Sequence, residues 1–279
     1  MINLGCGNRF HPAWVNADIA PSDPSVIPCD LSQRLPFPDE DFDVVYHSNV
    51  LEHIRRDDAL PFLRECFRIL KPGGILRVAT PDLERICKLY LEKLQQAAAG
   101  DSASAHDYDW MLLEMYDQTV REKSGGGMID FLRQNPLPNE SFVLDRIGQE
   151  GRELITALRR ASPPKQPTSK PRTPLQEIVR RPRSIFKILG QIFLKSWFGP
   201  EAQRALDIGR FRLAGEVHQW MYDRFSLARL MLSAGFHEPV LRSPIDSAIP
   251  HWAEFHLDTL PDGNAIKPDS FFMEATKPG

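Results

Sequence analysis

Two glycines one residue apart, directly after an apolar run, are the first feature here that could do chemistry: Ile2–Leu4 runs into Gly5-Cys6-Gly7. Glycines at the end of a strand let a ligand come against bare backbone where a side chain would collide. A dinucleotide pyrophosphate wants a third glycine, but Asn8 and Arg9 stand there, which weakens a nicotinamide reading. Two acids discriminate further. Asp18 ends a second apolar run, Trp14–Asp18, where a carboxylate can accept both hydroxyls of a ribose. Asp30, followed by Leu31, comes after a third run, Val26–Cys29, placed to meet an adenine amino group. Singly, each aspartate reads as a strand-end cap or a surface charge. After successive strands they read together as a grip on a nucleoside.

A second set of residues could move protons. His47 and His53 flank the segment after a fourth run, Phe42–Tyr46, while His218 and Tyr222 precede a C-terminal helix. His251 and His256 lie between the last two expected strands. Any one histidine is more often structural or exposed; as a base, His218 ranks first and His53 second, with Tyr222 as a third catalytic candidate. Asn49-Val50-Leu51-Glu52-His53 offers two strong metal ligands at best, so no metal is expected.

Those candidates need elements to hold them. The first part of the chain alternates short apolar runs with helical patterns. Leu60, Leu63, Phe67 and Leu70 mark one face of a helix over Ala59–Leu70, and Pro72-Gly73-Gly74 just beyond it predicts a turn before a buried strand, Ile75–Ala79. Residues 82–98 read as a helix ending near Gly100. Order returns at about residue 213, with a helix over Ser226–Ala234 capped by Asp223 or Ser226 and closed by Gly235. Pro239–Arg242 and Phe271–Ala275 complete the strands. Strand–helix alternation predicts an α/β fold, a largely parallel sheet with helices on both faces.

Taken in order, Asn3-Leu4-Gly5-Cys6-Gly7, Trp14-Val15-Asn16-Ala17-Asp18, Leu35-Pro36-Phe37-Pro38-Asp39, Phe42-Asp43-Val44-Val45-Tyr46, Leu51-Glu52-His53 and Leu70-Lys71-Pro72-Gly73-Gly74 resemble the class I S-adenosylmethionine-dependent methyltransferases. The closest likeness is to the type 11 group, in its bacterial small-molecule or glycan branch. His218-Gln219-Trp220-Met221-Tyr222-Asp223 and Ala234-Gly235-Phe236 extend it, over roughly 1–82 and 213–276. The resemblance implies a Rossmann-like seven-stranded sheet with helices on both faces and a helical insertion. It also implies S-adenosyl-L-methionine as cofactor, held by Leu4, Gly5, Cys6 and Gly7 at the methionine end. Asp18 and Ile19 would hold the ribose, Asp30 and Leu31 the adenine, and His47 and Asn49 the sulfonium end. Three departures stand out: Asn3 replaces the usual acid, Arg9 replaces the third glycine, and the segment before Trp14 leaves room for only a very short first helix.

The expected organisation is a cofactor-binding half over 1–96, a helical insertion or lid over 97–217 with a proline-rich linker, and the rest of the core over 218–279. The insertion carries the charge asymmetry. Residues 152–212 hold 14 Lys and Arg against 4 Asp and Glu, within a chain of net charge −3. Ser184–Phe198, beside Arg180, Arg181 and Arg183, reads as an amphipathic helix that packs as a lid, touches a membrane surface through 180–198, or docks a protein. Nucleic acid is disfavoured, because the basic block lacks interleaved aromatics. The four cysteines show no paired spacing, and neither a signal peptide nor a membrane span is evident, which fits a cytoplasmic protein. The reading is therefore methyl transfer to O or N of a small molecule, sugar or glycan. Its rivals are a non-catalytic cofactor-binding interaction module and methylation of a lipid-linked acceptor at a membrane. The oligomeric state is not legible.

Overall fold

A computed structural model describes residues 1–160 and 185–279, the side chains of 185–196 aside. Seven strands form one sheet: β1 (Ile2–Leu4), β2 (Val15–Asp18), β3 (Ile27–Pro28), β4 (Phe42–Ser48), β5 (Leu70–Pro81), β6 (His237–Arg242) and β7 (Ser270–Thr276). Their order is β3-β2-β1-β4-β5-β7-β6. Strands β1 to β5 pair in parallel, while β7 lies antiparallel between β5 and β6. The chain winds outward from β1 to β3 and then returns to β4 on the other side of β1. Such a reversal opens a crevice at the carboxyl ends of the strands, where α/β sheets take ligands.

The helices are α1 (Arg56–Ile69), α2 (Leu83–Ala98), α3 (Ser102–Val120), α4 (Gly126–Leu132), α5 (Glu140–Arg160), α6 (Ile185–Arg212) and α7 (Arg224–Ala234). On one sheet face, Phe62, Leu63 and Cys66 of α1 and Leu227 and Met231 of α7 pack against Ile2, Leu4, Val45 and Leu76 in the main core. Asp223 caps α7 through a reciprocal capping box with Ser226, and Gly235 closes it in the left-handed region, as the sequence predicts. On the opposite face Trp14, Tyr46 and Trp252 pack edge to face. There the fully buried Arg77 guanidinium bonds Asp258 at 2.8 Å and Glu274 at 2.7 Å, and it stacks 4.3 Å from the Trp252 ring.

Several expectations need correction. The connection from β1 to β2 contains turns and no helix. Asn3 Nδ2 donates to the Arg9 carbonyl at 3.0 Å, and Asn16 Nδ2 donates to the His11 and Trp14 carbonyls. Two amides can donate to a tight loop in a way a carboxylate cannot, which accounts for asparagine at position 3. Pro72-Gly73-Gly74 is not a turn ahead of the strand but an excursion within β5. Leu70 already pairs with Phe42, and the register then jumps so that Ile75 pairs with Val44. Within the insertion, buried polar groups find partners: Trp110 Nε1 donates to Glu114, which also pairs with Arg146. Arg180, Arg181, Arg183 and Pro163–Pro174 lie outside the described residues. Among the described residues, no helix is long and apolar enough to cross a membrane.

Candidate active site

Two cavities adjoin at the carboxyl ends of β1 and β4. The first, about 590 Å³, is walled by Asn3, Gly5, Cys6, Gly7, Ser48 and Asp258 among others. The second, about 510 Å³, lies between the segment after β4 and helices α4 and α5. Asn49, Glu150 and Lys267 line both. Asn49 holds φ +52, a left-handed conformation that asparagine tolerates better than most residues, and its N–H is tied to the Ala79 carbonyl at 2.9 Å.

The glycine loop is built for close approach. Gly7 sits at φ +53, and nothing lies within 4 Å of where a Cβ would stand. Gly5 is required for a different reason: a Cβ there would come 2.4 Å from Val50 Cγ2. Asp18 braces the loop, its Oδ2 accepting the Gly7 N–H and its Oδ1 the Ala20 N–H, both at 2.8 Å. Each carboxylate oxygen has a second lone pair to offer. Cys6, buried beside Asp18, has its thiol pushed up to about 11 by burial and then by that negative charge. Asp30 is exposed and bonded to the Ser32 N–H and hydroxyl, with Leu31 partly buried next to it. Leu4 is in the core and Ile19 is exposed. Asp18, Ile19, Asp30 and Leu31 thus lie along the strand ends, outside the lining of the first cavity.

His47 departs from its expected place. It alternates to the α1 face of β4, where its ring packs 5.2 Å from Phe62 and neither nitrogen has a partner. Burial pushes its pKa down to about 3, so it is a neutral core residue away from both cavities. His251 and His256 are exposed. Tyr222 is buried in the main core, its hydroxyl unpartnered and pushed up to about 12 by burial and then by Glu52.

His53 and His218 do come together in the second cavity, rings edge to face at 4.8 Å. The segment after α6 brings this about: His218 N–H bonds the Gln118 carbonyl in α3, and the N–H groups of Gln219 and Trp220 both reach the Glu52 carbonyl. Burial lowers the affinity of both imidazoles for a proton, and His218 falls to about 3. A base that weak holds a proton poorly at neutral pH, which demotes His218 from first place among the proton acceptors. Glu52, fully buried beside them, is pushed up to about 7 by burial. In the sequence Glu52 stands out only as a possible metal ligand, and Lys267, Glu150 and Asp269 do not stand out at all. None has a local motif; the fold alone brings them to the cavities.

Residues 3–78 match the family model described as a methyltransferase domain. A Mycolicibacterium smegmatis protein named "Probable S-adenosylmethionine-dependent methyltransferase" is 48% identical over 49 residues, 18% of this chain and 18% of that one. The ubiquinone/menaquinone biosynthesis C-methyltransferase UbiE of Vibrio parahaemolyticus is 37% identical over 83 residues, 26% of this chain and 31% of that one. These matches therefore span less than a third of either relative's length. A crystal structure of an S-adenosylmethionine-dependent methyltransferase from Mesorhizobium loti aligns over 99% of this chain and 90% of that one, at 15% identity and TM-score 0.36. The methyltransferase-domain match thus covers residues 3–78, which contain the glycine loop and strands β1 to β4 and the start of β5 in the seven-stranded sheet.

Proposed function

We propose that the protein methylates O or N of a small-molecule acceptor with an apolar body and a polar head. The observation that carries this reading is the junction of the two cavities at Asn49, Glu150 and Lys267. Bound S-adenosylmethionine supplies a methyl group on a sulfonium, already electrophilic. Gly5 and Gly7 admit the methionine end against backbone, Asp18 offers its remaining lone pairs to the ribose, and Asp30 stands at the adenine end. Across the junction, Met128, Ile129, Leu132, Ile147 and Leu154 give the second cavity an apolar wall, facing Glu52, His53 and His218. That division supports an amphiphilic acceptor held with its nucleophile towards the polar wall. The chain's contribution is then orientation and exclusion of water, which methyl transfer chiefly needs. A hydroxyl or protonated amine must also lose a proton.

The α3–α5 layer has its own apolar core around Trp110, Met111 and Val143, which supports its role as a lid over the acceptor. Transfer to carbon is the second reading, favoured by the likeness to the Vibrio C-methyltransferase. The test is a screen of phenols, hydroxylated sugars, amines and quinols with cofactor carrying a labelled methyl group. The expected result is labelled O- or N-methyl product from phenols, sugars or amines. Label on ring carbon alone favours the second reading. Failure of S-adenosylhomocysteine to bind the purified chain in calorimetry overturns both and leaves a protein without this catalysis.

A further inference from the structure

Glu52, His53 and His218 are the only group of three metal-ligating side chains found together among the described residues, with ligand atoms all within 4.8 Å of one another. Glu52 is wholly buried and its Oε1 has no hydrogen-bond partner; His218 is 5% exposed and its Nδ1 has none. Buried polar atoms left without partners are costly and call for an explanation. Here two such atoms belong to one cluster that lines the second cavity.

The surroundings prepare these side chains as ligands. His53 Nδ1 faces the Val217 carbonyl at 3.4 Å, so it carries the proton and leaves Nε2 with its lone pair. Thr80 donates to Glu52 Oε2 at 3.2 Å, steadying the carboxylate while leaving Oε1 open. Support of this kind, a carbonyl behind an imidazole and a donor behind a carboxylate, is what orients the ligands of a metal. The nearby guanidinium of Arg121 is held away by Asp117 at 2.9 Å and Glu216 at 3.1 Å.

We propose that Glu52, His53 and His218 bind one divalent cation of zinc type, with its open coordination position facing the acceptor cavity. Two imidazoles and one carboxylate suit such an ion, and three protein ligands leave room for water or substrate. Its role rests on the methyl-transfer reading: an acceptor hydroxyl in the open position would be a stronger acid, would give its proton to solvent water, and its oxygen would form the new O–CH3 bond as the S–CH3 bond breaks and S-adenosylhomocysteine leaves. The existence of the site does not rest on that reading.

The experiment titrates the full chain, stripped with chelator, with cobalt(II) and then zinc(II), followed by visible absorption and by calorimetry. One equivalent of cobalt with the ligand-field bands of a four- or five-coordinate site is expected, displaced by zinc. His218→Ala, His53→Ala and Glu52→Gln should each weaken binding by more than about 100-fold, beyond the roughly 10–100-fold cost of losing a supporting partner. His251→Ala, remote from the cluster, should not change it. Absent bands in the wild-type chain, or affinity equal in wild type and all three variants, overturns the site even if a variant folds poorly. Calorimetry with S-adenosylhomocysteine on the stripped chain separates the two ideas. If that ligand binds and cobalt does not, the metal site fails alone; if cobalt binds and that ligand does not, the methyl-transfer reading fails.

Discussion

Asp18 Oδ2 accepts the backbone N–H of Gly7 across 2.8 Å, joining the end of β2 to the glycine loop that follows β1. The carboxylate holds the loop and, on the proposed reading, offers its remaining lone pairs to a ribose. Asp18→Ala removes both, and S-adenosylhomocysteine should bind about 1–3 kcal/mol more weakly, as for the loss of charged hydrogen bonds. Titration calorimetry reads this directly. Undiminished affinity would mean the sugar is held elsewhere.

Cys6 gives a chemical readout of the same corner. With its thiol pushed up to about 11, little thiolate exists at neutral pH. Alkylation by iodoacetamide should be slow and should rise about tenfold per pH unit below that value. Asp18→Asn removes the negative charge that helps hold the thiol protonated, so it should speed the reaction at a given pH. Saturating S-adenosylhomocysteine should slow it. Peptide mapping by mass spectrometry separates Cys6 from Cys66, which is buried in the core and should stay unmodified.

Arg77 offers a test of the charge network behind the wall of the first cavity. Arg77→Ala leaves Asp258 and Glu274 facing one another without their shared cation, and urea unfolding should show a loss of about 3–5 kcal/mol. The triple variant Arg77→Met, Asp258→Asn, Glu274→Gln removes the charges together and should recover much of that loss. Equal destabilisation in both proteins would mean the site depends on arginine packing against Trp252 rather than on charge pairing.

Gly148 breaks α5 at φ +59, where a Cβ would come 2.7 Å from both the Ile266 carbonyl oxygen and Pro268 Cδ. Gly148→Ala should push the helix off the 266–268 segment and cost about 1–3 kcal/mol of stability. Thermal unfolding measures the cost. Acceptor KM should worsen more than cofactor affinity, because Ile147, Gly151 and Leu154 of α5 wall the second cavity, the one proposed for the acceptor.

What was legible in the sequence follows from how local each signal is. The cap and stop of α7 depend on Asp223, Ser226 and Gly235, all within one helix, and they read correctly. The strand after Gly74 was found but begun too late, because proline and glycine mark a turn equally well inside or outside a ladder. Helix α3 carries only a weak apolar stripe, and Glu114 occupies a buried position in it that a pattern search scores as surface. His47 and His53 looked alike as candidates; only strand alternation sends one into the core. The meeting of His53 with His218 had no local signal, because the whole insertion lies between them and its course decides where its ends arrive.

Arg9, on the glycine loop, pairs with Glu150 of α5 at 3.3 Å, and Glu150 borders both cavities. On the proposed reading the donor and acceptor pockets share this wall, so a ligand that orders the pair from one side would leave less to order from the other. Thermodynamic reciprocity then requires that whatever factor one ligand applies to its neighbour's dissociation constant be returned unchanged. A first substrate that clamps this latch would prepare the protein for the second, and ordered binding would need no further moving part.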